Sequence, residues 1–434
     1  MTRPSTREWP LNRLDAVLVA QTAEQRPMTT HYTLEIDRAI PAEGWARALT
    51  QLVETYPELG SRISAGARAR RLVSAPDRVA LSRRLVDDSD GSQAAIERWL
   101  GESIELERGL PLRVRIAPGQ VAAQSVTLSI HHSVTDGVGA LALFDRLTAT
   151  AAGVPLPARS STPLAKYEQA PRPELRRLVE RFAELRQPAA RMVDVVDAGL
   201  RGQRLVLREI GPRVWAGLGQ LARAAGVSRT TVLWHAVATI AAAARLDDPS
   251  LPVRILAGVD LRSYQGVPAD ALGNWLGTVE HDSSAVFGYS DLHGALMRAR
   301  RPERALLTPE LLSAMVRPLP RALGHALFRQ LDADGWPNPF TLTFAHIRPP
   351  ARRCWPARLR PRRLWCTNTV PRKPGVGLTF TTLGDRVTVA ATCQASVLRR
   401  STVEGLLDAV LSRLHAQVAG TDEQPRERES ASGS

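Results

Sequence analysis

Apolar and polar positions in the first half of the chain switch between a two-residue and a 3.6-residue period, which predicts strands and helices in turn. His31 to Ile36 reads as a strand. Trp45, Leu49, Leu52, Val53 and Tyr56 then form one helical stripe, which Pro57 ends. Val114 to Ile116 is a strand, and Ser125 to His132 is a longer one with Val126, Leu128 and Ile130 on one face. His132 continues that parity, so it should point toward the apolar interior. His131 falls with Thr127 and Ser129 and should point away from it. After Gly137, the residues Val138, Leu141, Phe144 and Leu147 recur at helical spacing, with Asp136 placed to cap the helix.

The pattern breaks between 151 and 190, where Ala, Pro and Ser crowd 151–163 and Pro171-Arg172-Pro173 follows. A charged helix is expected from Pro173 to Gln187. Regular periodicity then restarts with a strand from Arg204 to Ile210. A helix bearing Val214, Leu218, Leu221 and Ala225 is stopped by Gly226, and Ser228 caps a long apolar helix through Ala244. Val253 to Val259 reads as a buried strand, followed by Asp260-Leu261-Arg262. Ser401 with Glu404 forms a capping box that opens a final helix carrying Leu406, Val410, Leu411 and Leu414. From Gly420 the chain turns polar, and a disordered tail is expected. The units predicted are a first lobe over 1–165, a crossover over 166–195, a second lobe over 196–420 and a tail over 421–434.

Composition narrows the class. A length of 434 residues, 44% hydrophobic and 23% charged, describes a globular chain of two or three units. No early apolar run reads as a signal peptide, and Val232 to Ala244 falls short of a membrane span. A cytoplasmic protein is therefore expected. Cys354, Cys366 and Cys393 have neither metal-ligand spacing nor the even count of a disulfide framework, so no metal is expected. The formal charge of +14 is carried almost entirely by arginine and favours acidic partners. Aromatic content of 5%, without an interleaved arginine/aromatic repeat, argues against a nucleic-acid groove.

One constellation carries chemistry: Ile130-His131-His132-Ser133-Val134-Thr135-Asp136-Gly137, on a strand–loop–helix corner. A neutral imidazole can take a proton from a nucleophile near pH 7, a carboxylate can fix the loop by pairing with a cation, and glycine lets a ligand approach the backbone. These residues resemble the HHxxxDG signature of the condensation-domain and chloramphenicol-acetyltransferase-like acyltransferases. The resemblance is extended by Glu105 to Arg113 ahead of the motif. It is extended again by Asp260-Leu261-Arg262 with Gly273-Asn274-Trp275-Leu276-Gly277, and by the strand from Phe340 to His346.

The resemblance implies an α/β (α+β) fold of two chloramphenicol-acetyltransferase-like lobes, a V-shaped pseudo-dimer with the active site in an interlobe tunnel. It implies a free-standing, monomeric acyltransferase of natural product metabolism. Such an enzyme joins an acyl thioester, on an acyl or peptidyl carrier protein or on CoA, to a hydroxyl or amine without a covalent acyl-enzyme. No cofactor is bound. His132 becomes the general base, His131 a structural residue, and Asp136 a structural carboxylate paired with Arg262. Gly137 becomes the point of close approach and a backbone donor to the tetrahedral intermediate. Asn274 and Trp275 either line the tunnel or form a buried packing turn, and His346 either touches substrate or is a satisfied polar side chain. Between Arg348 and Lys373 so many prolines interrupt the arginines that an exposed loop of the second lobe is expected. Arg358, Arg360, Arg362 and Arg363 either dock the donor there or are simply solvated. A wax ester or diacylglycerol O-acyltransferase, with Leu11 to Asp15 resembling that branch's N-terminus, and a catalytically silent recruitment domain are the alternatives.

Overall fold

The structure, a computed structural model, describes residues 7–430 except 12, 23–27, 64–69, 74–84, 105, 107–110, 159–173, 189–201, 244–247, 249, 269–270, 284–287, 317–318, 320, 334–339, 346–354 and 369–374. Its strands are β1 (Arg7–Pro10), β2 (Thr29–Ile36), β3 (Arg62–Ile63), β4 (Arg70–Val73), β5 (Leu85–Asp87), β6 (Leu112–Ala117), β7 (Gln124–His131), β8 (Gln203–Ile210), β9 (Val253–Asp260), β10 (Leu276–Ser283), β11 (Phe340–Ala345), β12 (Pro361–Asn368), β13 (Val376–Leu383) and β14 (Arg386–Gln394). They form a five-stranded sheet ordered β12-β2-β7-β6-β5, a six-stranded sheet ordered β10-β9-β11-β13-β14-β8, and a small β1-β4-β3 sheet. The two large sheets are mixed α/β layers and centre the two lobes.

In the first lobe the alternation expected from the sequence decides which face is apolar. Tyr32, Leu34 and Ile36 of β2, Leu112, Val114 and Ile116 of β6, and Val126, Leu128 and Ile130 of β7 share one core. Trp45, Leu49, Leu52 and Val53 of the helix Ala42–Thr55, and Ala140, Leu143, Phe144 and Leu147 of the helix Gly137–Ala151, complete it. Each such side chain taken fully out of water contributes about 1.5–3 kcal/mol, so the helices are held by this stripe rather than by intrinsic propensity. In the second lobe, alternate residues of β9, β13 and β14 pack under the helices Pro212–Ala224, Arg229–Ala243 and Arg400–Ser430. Ser228 caps the helix Arg229–Ala243 as expected, its hydroxyl accepting from Thr231 N at 3.1 Å. Gly226 stands past the preceding helix at φ +65°.

Three expectations need correction. Ser401 does not cap the last helix, because Val403 N already donates to Arg399 O and the helix starts at Arg400. That helix also runs to Ser430, past Gly420. The segment's Glu, Gln and Arg are good helix formers on an established helix, and the backbone of 421–430 is helical where a tail was expected. The described part of the arginine-rich stretch, residues 355–368, is not a loop of the second lobe. After the turn Ala357–Leu359, its residues 361–368 form β12, antiparallel to β2 at the edge of the first-lobe sheet. Leu364 and Cys366 enter the first-lobe core, which is why the segment is ordered as a strand despite its prolines. β12 also packs against β13 and β14, so it joins the two sheets.

Candidate active site

The motif sits where β7 ends and the helix Gly137–Ala151 begins. His131 is wholly buried and both its ring nitrogens are engaged. Ser133 N donates to Nδ1 at 3.0 Å, so Nδ1 carries no proton. Nε2 lies 2.8 Å from Thr22 Oγ1, whose own proton goes to Leu18 O at 2.7 Å, so Nε2–H is the donor. This locked neutral tautomer leaves His131 no lone pair for chemistry. Its role is to tie the strand end to the helix Arg13–Gln21.

His132 lies just past the strand, in a turn, and is partly exposed. Its Nε2 is 2.7 Å from Thr30 Oγ1, and Thr30 lies opposite Ile130, on the apolar side of the sheet. The face expected for His132 is therefore the one it takes. His131 shares the other face with Ser129, but that face is buried rather than open: Thr22 and Ser133 hold the His131 ring, and Trp99 of the helix Gln93–Gly101 donates to Ser129. His132 Nδ1 is buried without a hydrogen bond. Burial lowers the His132 pKa, and the Asp136 carboxylate and the Thr135 main chain oppose that shift only in part. At neutral pH the ring is therefore uncharged, with Nε2 turned toward a hydroxyl.

Asp136 is the hub that joins the lobes. Its Oδ1 accepts from Gly139 N at 3.0 Å, capping the helix. Its Oδ2 accepts from Arg262 Nη1 at 2.8 Å and from Trp275 N at 2.8 Å. The Asp136 and Arg262 side chains are only 1% and 3% exposed. Burial works against the charge on Arg262, yet Asp136 and then Asp260 outweigh it and raise its pKa. Arg262 also donates to Ala271 O at 3.0 Å, so one guanidinium holds both ends of the segment that returns to the motif. There Gly273, at φ +105°, bridges Thr135, and its N–H donates to Val134 O at 2.9 Å.

Asn274 and Trp275 belong to that buried turn. Asn274 Nδ2 donates to His132 O at 2.5 Å and to Asp15 Oδ1 at 2.8 Å, and Trp275 Nε1 donates to Leu272 O at 3.2 Å. His346 lies outside the described residues. Arg358 donates to Ala152 O, Arg362 Nε lies 2.6 Å from Asp37 Oδ2, and Arg363 pairs with the buried Glu35. Arg360 is exposed at φ +47°. Two of the four arginines are thus part of the β12–β2 edge rather than a free charged loop. Gly137 meets only Tyr32 Oη, 3.5 Å from where a Cβ would stand. Gly139 is the crowded glycine, with Thr135 Oγ1 only 2.0 Å from its virtual Cβ. Thr22, Thr30, Tyr32 (whose hydroxyl donates to Gly137 O at 2.7 Å) and Asp15 escape a reading of the motif. Thr30 and Tyr32 are signalled only by the polar run Thr29 to Thr33 in β2, Asp15 only by the resemblance of Leu11 to Asp15, and Thr22 by nothing in the sequence.

No protein-family model matches the sequence, and no curated protein matches it significantly. Solved structures match over nearly the whole chain. Polyketide synthase associated protein 5 from Mycobacterium tuberculosis superposes with a TM-score of 0.63 at 18% identity, covering 95% of this chain and 98% of that one. The epimerization domain from the third module of tyrocidine synthetase B gives 0.61 at 14%, covering 97% and 99%. The nonribosomal peptide synthetase FmoA3 gives 0.67 at 16%, covering 96% of this chain and 43% of the longer synthetase. The chain has the condensation-domain fold. Within that fold the HHxxxDG residues occupy the junction of the lobes, where Asp136 and Arg262 meet. Among the described residues no helix is long and apolar enough to cross a membrane.

Proposed function

We propose that the protein is a condensation-type acyltransferase that moves an acyl group from a thioester to a hydroxyl or amine at the lobe junction. The observation that carries this reading is the Thr30 hydroxyl 2.7 Å from Nε2 of an uncharged His132. General-base catalysis needs a neutral ring nitrogen facing an O–H or N–H, and Nε2 faces the Thr30 hydroxyl; an acceptor would compete with that hydroxyl for the same nitrogen. As the acceptor atom bonds to the thioester carbon, its proton passes to His132 Nε2. The tetrahedral intermediate then collapses, the C–S bond breaks, and the thiolate leaves with the proton from His132. Asp136 and Arg262 hold the turn in shape and take no part in proton transfer. The charge of +14 suits a donor carried on an acidic carrier protein or on the phosphates of CoA.

The test is transfer from acyl-CoA and acyl-carrier thioesters to a panel of alcohols and amines, followed by mass spectrometry. His132→Ala should lower the rate roughly 10²–10⁴-fold. His131→Ala should act through a lower melting temperature. Reversed effects in folded variants refute the assignment. Epimerization, the activity named for one structural neighbour, would instead change the stereochemistry of the acyl group without changing its mass.

A further inference from the structure

A general base works through a free lone pair, and His132 Nε2 is already engaged by Thr30 Oγ1 at 2.7 Å. A neutral imidazole has one proton-bearing nitrogen and one nitrogen with a lone pair in the ring plane. If Nε2 accepts the Thr30 proton, its lone pair is in use; if it donates to Thr30, it has none. Either way that contact must open before another O–H or N–H can reach the nitrogen. An acceptor and a water molecule face the same requirement.

How each partner is held decides which one gives way. Thr30 lies inside β2, opposite Ile130 of β7 and Asn368 of β12, so ladders on both sides fix its backbone. It is buried, and its branched Cβ restricts χ1. His132 lies past the end of β7 and is partly exposed. Its main chain is fixed, with N donating to Met28 O at 2.9 Å and the carbonyl accepting from Asn274. Among the described residues, Thr30 is the side chain hydrogen-bonded to its ring. The ring is therefore the part able to turn, and the Thr30 hydroxyl is the fixed point that holds it.

We propose that Thr30 parks His132 in the resting enzyme, withholding the base from water until an acceptor binds. The proposal rests on the acyl-transfer reading above and adds what separates transfer from hydrolysis. In hydrolysis, water oxygen bonds to the thioester carbon as Nε2 takes its proton. The C–S bond then breaks and the proton passes to sulfur, giving a carboxylic acid and a thiol. An acceptor makes contacts along its whole length, and part of that binding energy offsets the lost Thr30 contact; a single water has nothing comparable. Thr30 acts through His132 and is a positioning residue.

Thr30→Ala removes the hydroxyl and Thr30→Ser keeps it. In Thr30→Ala, hydrolysis of acyl-CoA without acceptor should rise about five- to tenfold, the worth of one hydrogen bond. The acceptor KM should fall by a similar factor, the gain lying in KM rather than in kcat. Thr30→Ser should restore both. A second readout needs no thioester. Diethyl pyrocarbonate attacks the free lone pair of an uncharged imidazole, so carbethoxylation of His132 at about pH 7, located by tandem mass spectrometry, should quicken about five- to tenfold in Thr30→Ala and slow again in Thr30→Ser. Should Thr30→Ala not fold, Thr30→Cys, close in size and a weak hydrogen-bond partner, should move both readouts the same way. Hydrolysis or carbethoxylation that is unchanged or slower without the hydroxyl overturns the proposal, as does a Thr30→Ser protein that behaves like Thr30→Ala. If none of the proteins transfers or hydrolyses a thioester, the transfer reading falls, and carbethoxylation alone decides whether Thr30 occupies the nitrogen.

Discussion

Separating Asp136 from Arg262 should destabilise the lobe junction in a non-additive way. Asp136→Asn keeps an oxygen for Gly139 N but turns the hub neutral, leaving Arg262 with Asp260, whose side chain is 39% exposed. Arg262→Met leaves the carboxylate two backbone donors, Gly139 N and Trp275 N, and strips Ala271 O of its partner. Both partners are nearly inaccessible to water, so each single change should cost roughly 3–5 kcal/mol, the usual price of leaving one member of a buried pair uncompensated. At about 2–4 °C per kcal/mol for a lobe of this size, each melting temperature should fall by roughly 6–20 °C. The double variant buries no orphan charge, so it should recover about 2–3 kcal/mol of the summed loss. Urea unfolding of the four proteins, followed by tryptophan fluorescence, closes the cycle. Additivity within about 0.5 kcal/mol would refute the pair as the element that joins the lobes.

Burial lowers the His31 pKa strongly, with Arg113 and His132 adding to the effect, and burial lowers that of His132 as well. An unfolded chain takes up those protons near pH 6.5, so stability should be unaffected above that value and should fall as pH drops below it. Melting temperatures from pH 8 to 5 should show this, with a shallower slope in His31→Gln, and an acid limb of kcat/KM lying below pH 6.5. A limb above 6.5 would contradict a depressed His132. Gly139→Ala should destabilise by about 1–3 kcal/mol, because its Cβ would overlap Thr135 Oγ1, while Gly137→Ala should fold normally. Similar melting curves for the two glycine variants would refute that distinction.

Local chemistry made much of this molecule legible. The two-residue alternation of β7 and the apolar stripe of the helix Ala42–Thr55 name their own core faces, since a strand or helix must bury its apolar side against something. The Asp136 cap follows from its place one residue before a helical pattern. The family resemblance pointed to its cation: Arg262 lies 126 residues away in sequence yet within 2.8 Å in space.

What the alternation could not reveal is what lies on the other side of the sheet. Thr127, Ser129 and His131 have the composition of a solvated face, and only tertiary packing, with Trp99 and Trp365 in one cluster with Leu205 and Ala390 of the second lobe, makes that face dry. β12 escaped for a related reason. Prolines and arginines read as loop because propensity is local, whereas pairing with β2 and burial of Leu364 and Cys366 are contacts across more than 300 residues. The sequence alone therefore determined most elements of the two lobes and the HHxxxDG motif, and the resemblance supplied its partner charge. Tertiary structure decided that His131 is held at both ring nitrogens while His132 turns Nε2 to Thr30, because that depends on Thr22, Ser133 and Thr30, residues whose hydrogen bonds exist only once strand, helix and turn have met.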